Sequence, residues 1–247
     1  MARAIYREWF VYFRYPGHEN VVDFDSEAGL IPEGWRRTPF GEVAAAEKGL
    51  PYKGAYLTED GTPMANLKCF RPGGGFRRDG TKPYSGPFKA KHEVRPGDLV
   101  VANTDLTQAG SVIGSPAIVP RRGFQSGGII SHHLFAIRCV DPAQRIYLYE
   151  ALRDQAFRDY ARSVASGTTV LGLLPADLHA YQLLLPPADL VARFAEFAAD
   201  IAALVEDLHD SAEFLTETRD MLLPKLVTGQ IEVSSLDLDA LVEGSVA

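Results

Sequence analysis

From Leu190 onward the apolar side chains fall at Leu190, Phe194, Phe197, Ile201, Leu204 and Leu208, in alternating steps of four and three. Leu215 and Leu222 continue one of the two seams this makes, while Ser211 and Thr218 weaken the other. Alternating steps of that kind put one stripe down a helix and favour a second helix as its cover. Pro187 suits a first helical turn, Asp189 is favourable near the positive end, and Pro224 and Gly229 are the predicted stop. About 35 helical residues at about 1.5 Å each reach roughly 50 Å. A rod of that length cannot hide its whole stripe on one compact domain, so the spacing predicts a helical partner. The competing arrangement is a helix folded back on its own domain. The final "LLPKLVTGQIEV" is too apolar to hang in water and reads as a docking end, with Leu223, Pro224 and Leu226 on it and a short strand-like piece after Gly229.

Charge divides the chain in the same place. Residues 1–33 carry 3 basic and 6 acidic side chains, residues 34–183 carry 19 and 13, and residues 184–247 carry 3 and 13. The net −7 of the whole chain therefore hides a basic middle between acidic ends. That asymmetry is expected when one segment meets a polyanion and the others meet protein, although uneven surface charge alone produces it too. At 247 residues and 46% hydrophobic, the chain can pack one or two domains. No run approaches 18 uninterrupted apolar residues, so no membrane span is expected. The opening "MARAIYREWFVYF" has charges within its apolar stretch and does not read as a signal peptide. Cys69 and Cys139 could pair if close in space, but they read better as buried free thiols of a cytoplasmic protein.

Three regions follow. Residues 1–33 open with a short amphipathic helix, on which Ile5, Trp9 and Tyr12 or Phe13 recur at helical spacing; "RYPGHEN" then turns, and "DFDSEAGLIPEGW" reads as an extended linker. Residues 34–183 hold the β-rich runs "PGDLVVANTDL", "GSVIGSPAIVP" and "SHHLFAIRCV", one or two helices in "DPAQRIYLYEALRDQAFRDYARSV", and a last strand in "LHAYQLLLPP". Residues 184–247 are the long helix and an acidic tail. The expected fold is mixed α/β: a globular domain with a short irregular β-sheet and helices, followed by one long coiled-coil-forming helix.

Catalytic signatures do not assemble. "GGGFRRDGTK" lacks the G-x-x-x-x-G-K-[ST] order of a phosphate-cradling loop, and "KHEV" has no second histidine four residues on. His132 and His133 are adjacent, so on a strand they point to opposite faces, one packed and one exposed. No G-x-S-x-G elbow or acid–base carboxylate pair is visible. What remains is a binding surface. Lys68, Arg71, Arg77, Arg78, Lys82, Lys89 and Lys91 are interleaved with Phe70, Phe76, Tyr84, Phe88 and five glycines between residues 68 and 91. A glycine-rich backbone follows a curved groove closely, and Arg and Lys meet phosphates and guanine edges. Arg121–Arg122 form a second small basic site. Ser166, Gly167, Thr168 and Thr169 could touch phosphate or make an ordinary turn.

Taken together, "REWFVYFRYPGHE", "GLIPEGW", "VRPGDLVVANTDLTQ", "SGTTVLGLLPADL", "LLLPP" and "LLPKLVTGQIEV", in that order, resemble the specificity subunit of type I restriction–modification systems. The resemblance implies a bacterial or archaeal cytoplasmic protein without catalysis or cofactor of its own. Residues 34–183 then match one target-recognition domain reading half of a split DNA sequence. Residues 187–222 match the distal spacer helix, and "WFVYF" the last turns of a central one. Family members carry two such domains on two antiparallel helices, to which adenine methyltransferase subunits attach. S-adenosylmethionine belongs to those partners, and ATP and Mg to a separate motor and restriction subunit. This chain departs in having one recognition domain and only a stub of the first helix, as a naturally short half-subunit, a remnant of a disrupted gene or a piece of a longer protein would. A homodimer through Leu190, Phe194, Phe197, Ile201, Leu204, Leu208, Leu215 and Leu222 would restore the missing symmetry. In that case "LLPKLVTGQIEV" packs against the second copy or the methyltransferase.

Overall fold

The computed structural model describes residues 1–20, 23–26 and 29–231, with side chains over 1–19 and 31–231. The chain divides into two compact units, Met1–Ala202 and Ala203–Ala247.

The first unit is organised by one run. Leu99–Ala102 is buried at all four positions. It lies in the middle of a four-stranded antiparallel sheet, between Pro116–Ile118 and Leu134–Cys139, with Ala44–Lys48 at the far edge. Because side chains on a strand alternate faces, the two sides of this sheet serve two cores. Leu99, Val101, Phe135 and Ile137 join the larger core, while Val100, Ala102, Leu134 and Ala136 join a second one with Phe70, Phe124 and Ile130. A strand covered on both faces has no polar side to alternate with, which is why "LVVA" is unbroken.

Helices cover the larger core. Gln144–Leu152 and Gln155–Val164 fall where the sequence places one or two helices, and the Asp154 side chain caps the second by accepting from the Ala156 amide at 3.2 Å. The chain's start belongs to the same core. A short helix, Ala2–Tyr6, runs into a π-helical turn, Arg7–Val11. Tyr6 and Phe10 are its buried residues, and Phe10 meets Tyr147 edge-on at 5.1 Å and Phe194 at 5.0 Å. The buried line therefore runs one position past the expected Ile5–Trp9 line, which is half-covered, and Tyr12 is exposed. A π-turn takes more residues than an α-turn, and that displaces the face.

A second, mixed sheet orders Lys82–Tyr84, Leu57–Ala65, Gly128–Ile130 and Glu93–Val94; Leu57–Ala65 and Gly128–Ile130 run parallel. Arg36–Pro39 pairs with Gln182–Leu185, and Thr104–Asp105 with Leu171–Gly172. Two expectations change here. "LHA" of "LHAYQLLLPP" lies in a helix, Pro175–Ala180, and only Gln182–Leu185 is strand. The segment read as a linker contains an antiparallel pairing of Asp23–Ser26 with Gly29–Pro32. Its alternation is too short to register as a strand pattern, and backbone pairing supplies the order instead. Both cysteines are free, Cys69 buried and Cys139 half-buried.

The long helix is Ala188–Val227. Leu190, Val191, Phe194 and Ala198 are buried in the larger core of the first unit. In the second unit, Leu204, Leu208, Phe214 and Leu215 are each about 60% exposed. Pro224 does not stop the helix but lies inside it. A proline here forfeits one backbone hydrogen bond close to an end that frays anyway. The stop is Gly229, at φ +68°, with the Gln230 amide donating to the Lys225 carbonyl at 2.9 Å. A glycine in the left-handed region closing a bond of that span is a Schellman-type end. Ile231 is the last described residue, so the expected strand-like piece lies mostly outside the described residues. Among the described residues no helix is long and apolar enough to cross a membrane.

Candidate nucleic-acid interface

The basic segment is fastened at several points. Asn66 is buried and caps the turn Leu67–Cys69; its Oδ1 accepts from the Lys68 amide at 3.0 Å and its Nδ2 donates to the Gly80 carbonyl at 2.6 Å. A Cβ on Gly80 would lie 2.4 Å from the Lys68 backbone, so the chain can cross itself there only at glycine. Gly73, Gly74 and Gly75 all have positive φ and turn the chain back, so that Phe70 and Phe76 bridge. The glycines of this segment thus serve tight turns and a close crossing. The expectation of a pliable backbone gives way to a pinned one.

On that frame Lys68, Arg71, Arg77, Lys89 and Lys91 are exposed, and Arg78 and Lys82 are half-buried. Arg77 forks onto Asp79, with Nη2 to Oδ2 at 2.5 Å and Nε to Oδ1 at 3.2 Å. The hydrogen bond to Asp79 holds the guanidinium above its ordinary range, and the same contact holds the Asp79 carboxyl below its own. Burial, then Lys91 and Lys89, push the His92 imidazole down, so the basic stretch carries its charge on lysine and arginine. Among the aromatic residues, Phe88 is exposed and Phe76 half-buried, whereas Phe70 is buried.

Tyr84 needs correcting as a surface contact. It is 3% exposed and packs with Leu50, Met64 and Ile129, its ring 5.9 Å from Tyr56. Period-2 alternation on the strand Lys82–Tyr84 turns it inward. The structure brings Arg121 and Arg122 toward the main basic segment. They begin the turn that closes at Phe124, and the Phe124 ring meets Phe76 at 5.8 Å, nearly perpendicular. Arg121 is exposed and Arg122 half-buried.

Thr168 sits in another neighbourhood. It is exposed, and its carbonyl accepts from Gln108 Nε2 at 2.5 Å. The turn around it is tied to the loop after Asp105 by the pairing of Leu171 with Asp105. Asp105 organises that loop: its carboxylate accepts from the Val112 amide at 2.6 Å and from the Thr107 amide and hydroxyl, each at 2.8 Å. Burial pushes this carboxyl up, but the Val112 and Thr107 donors outweigh it and hold it below the usual range. Arg158, buried across from it, donates to the Ile113 and Ser111 carbonyls and the Ser115 hydroxyl; burial and then Arg162 bring its pKa down to about 10. Asp105 lies within the quoted segment "VRPGDLVVANTDLTQ" and Arg158 within the expected helical stretch 141–164, but neither stands out there, because nothing in the local pattern marks a loop-organising carboxylate or a buried guanidinium.

Two other groupings are set by the fold. His132 and His133 lie in the turn before Leu134–Cys139, both half-buried, with their rings 3.9 Å apart. In a turn the opposite-faces rule does not hold, so the expectation of one packed and one exposed ring fails. The guanidinium groups of Arg7 and Arg14 lie over the exposed Tyr12 ring at 5.4 and 5.6 Å. Among the described residues no group of three or more His, Cys, Asp or Glu side chains could hold a metal ion.

The expected helix-face residues divide. Leu190 and Phe194 are part of the globular core and cannot serve a second chain, because the first unit already covers them. Ile201 is half-buried, and Phe197, Leu204, Leu208, Leu215 and Leu222 are exposed. Leu223, Pro224 and Leu226 are exposed too.

No protein-family model matches the sequence, and comparison with curated proteins finds no match. Solved structures do match. The type I restriction–modification S subunit from M. genitalium superposes with a TM-score of 0.56 at 15% identity, over 78% of this chain and 45% of that one. The HsdS subunit from Thermoanaerobacter tengcongensis gives 0.49 at 20% identity, over 91% of this chain and 49% of that one. The chain thus spans about half the length of the structures it matches. On the first of these superpositions, the chain has the fold of a type I restriction–modification S subunit, over about half of that structure's length.

Proposed function

We propose that this chain is a non-catalytic, sequence-specific DNA-recognition subunit of a type I restriction–modification complex, reading one half of a bipartite site and docking an adenine methyltransferase subunit. The fold shared with an S subunit carries the reading. The pinned basic face around Lys68, Arg71, Arg77, Arg78, Lys89 and Lys91, with Arg121 and Arg122 beside it, supports the assignment of the DNA surface. A few of these side chains read base edges and the rest position the domain on phosphate. Residues 34–183 form the recognition domain. The exposed seam of the long helix pairs with a second copy, and the Leu223–Pro224–Leu226 end packs against that copy or the methyltransferase. S-adenosylmethionine, ATP and Mg belong to the partner subunits.

The test is methylation by the chain purified with its modification subunit. Adenine methylation confined to one split sequence is the expected outcome, and equal methylation of random DNA would refute the reading.

A second reading draws on the chain's covering only 45% of the M. genitalium S subunit. A half-length chain could occupy the modification subunit without completing a clamp on DNA. Added to an intact system, such a decoy lowers methylation, whereas a working half-subunit leaves or redirects it.

A further inference from the structure

We propose that His132 and His133 form a base-reading site, in which two outward Nε2–H donors meet the N7 atoms of two successive purines in the major groove. This rests on the DNA-recognition reading above and adds two residues to it. The turn they occupy lies between the two neighbourhoods of the candidate interface. On one side the Ser131 amide donates to the Ala65 carbonyl at 2.9 Å, directly before the Asn66 that caps the Lys68 turn. On the other, Asn103 donates its amide to the His133 carbonyl at 2.9 Å and its Nδ2 to the His132 carbonyl at 3.2 Å, two residues ahead of Asp105. The His132 amide closes a third side on the Leu50 carbonyl at 2.8 Å. The turn is therefore fastened to three segments of the domain.

The rings are held as well as the backbone. His132 packs against His133, with centroids 3.9 Å and planes 38° apart, and against the Tyr52 ring at 5.9 Å. Both Nδ1 atoms are enclosed and have no hydrogen-bond partner among the described residues. A proton on either would be a buried donor without an acceptor, which is costly. A charged imidazole needs a proton on both nitrogens, so the enclosure selects the neutral ring with its proton on Nε2. Burial, then His132 and Lys48, push the His133 imidazole down, in agreement. The Nε2 atoms are not enclosed in this way, so each ring offers outward one donor and no acceptor.

That offer selects the ligand. An uncharged donor gains little from phosphate, which the exposed Lys48 and Lys68 serve better. Base edges supply neutral acceptors. In the major groove both purines show N7, whereas cytosine shows an amino donor and thymine sets a methyl group beside its O4. Successive bases on one strand lie about 3.4 Å apart along the axis. Two rings with centroids 3.9 Å apart match that step, so each ring meets one base. The pair then reads a purine–purine step, while basic residues on either side position the domain on phosphate.

The experiment uses the full chain with its modification subunit, on duplexes carrying the split sequence that the methylation assay identifies. Each purine of the recognised half-site is replaced in turn by its 7-deaza analogue, which removes the N7 acceptor and keeps Watson–Crick pairing. The expected result is a loss of about fivefold in wild-type affinity at each of two successive purines. His132→Phe should abolish the loss at one of them and His133→Phe at the other, with the salt dependence of binding unchanged. Phenylalanine keeps a ring in the stack and removes the donor, so folding in denaturant should stay close to wild type. The site is overturned on wild type alone if no two successive purines respond. It is also overturned if both variants keep the response, or if they weaken every duplex equally with a shallower salt slope; these results leave the DNA-recognition reading standing. Methylation with no preferred sequence would overturn that reading and the site with it.

Discussion

Phe194 and Leu208 belong to one helix and to one continuous three-and-four spacing, yet they live in different surroundings. Phe194 is fully buried against Phe10, Tyr6 and Trp9. Leu208 is 60% exposed. The pattern along a helix says that a stripe needs cover; it does not say what covers each part. In the first turns the cover is local, because the chain's own opening aromatics reach it. Past residue 202 the leucines of the stripe are exposed. The two stretches should therefore respond in opposite ways to the same kind of substitution.

The strongest contrast is expected at Phe194. Phe194→Ala should cost about 3–5 kcal/mol of folding stability, measured by denaturant unfolding, because it empties a closed aromatic core. A loss comparable to that of Leu208→Ala would break the contrast.

Asp105 extends the test to a polar centre of the globular unit. Asp105→Asn should destabilise by roughly 2–3 kcal/mol, since the amide cannot replace the charge-assisted bonds from the Val112 and Thr107 donors. Its carboxyl sits below the usual range when folded, so the stabilisation is full above the unfolded-state pKa of about 4 and is lost as pH falls through the lower folded value. The gap between wild type and Asp105→Asn should accordingly narrow in acid. A constant gap between pH 7 and pH 2 would contradict the ionic account.

On the basic face, Arg71→Ala should weaken DNA binding by roughly 1–3 kcal/mol if that residue reads a base, with folding unchanged. Equal weakening on every DNA sequence would assign Arg71 to phosphate. Arg77→Ala should leave stability nearly unchanged, because its partner Asp79 is two residues away and both side chains are exposed. Smallest of all should be the effect of Leu204→Glu on folding, within about 0.5 kcal/mol. The same change should halve the solution mass of a dimer, and a two-copy mass that survived it would remove the seam from the interface.

Different parts of the molecule were legible to different depths. The long helix could be read from spacing because a 3.5-residue repeat has few other structural uses. "PGDLVVANTDL" announced a β-rich run, and 141–164 announced helix. Other features depend on which segments the fold brings together. Asp105 and Arg158 are 53 positions apart and look like ordinary surface charges until one loop is wrapped between them. Tyr84 read as part of the binding surface among lysines and arginines, and only the pairing of Lys82–Tyr84 with Leu57–Ala65 turned it inward. The meeting of Phe76 with Phe124, which draws Arg121 and Arg122 toward the main basic segment, leaves no trace in local pattern.

Residue order alone settled the mixed architecture, the apolar stripe and where positive charge gathers, since periodicity and charge are properties of neighbours along the chain. Which part of the stripe is already satisfied, which aromatics face outward and which loops are rigid were decided by folding. Burial is a relation between distant segments, and no single segment carries it.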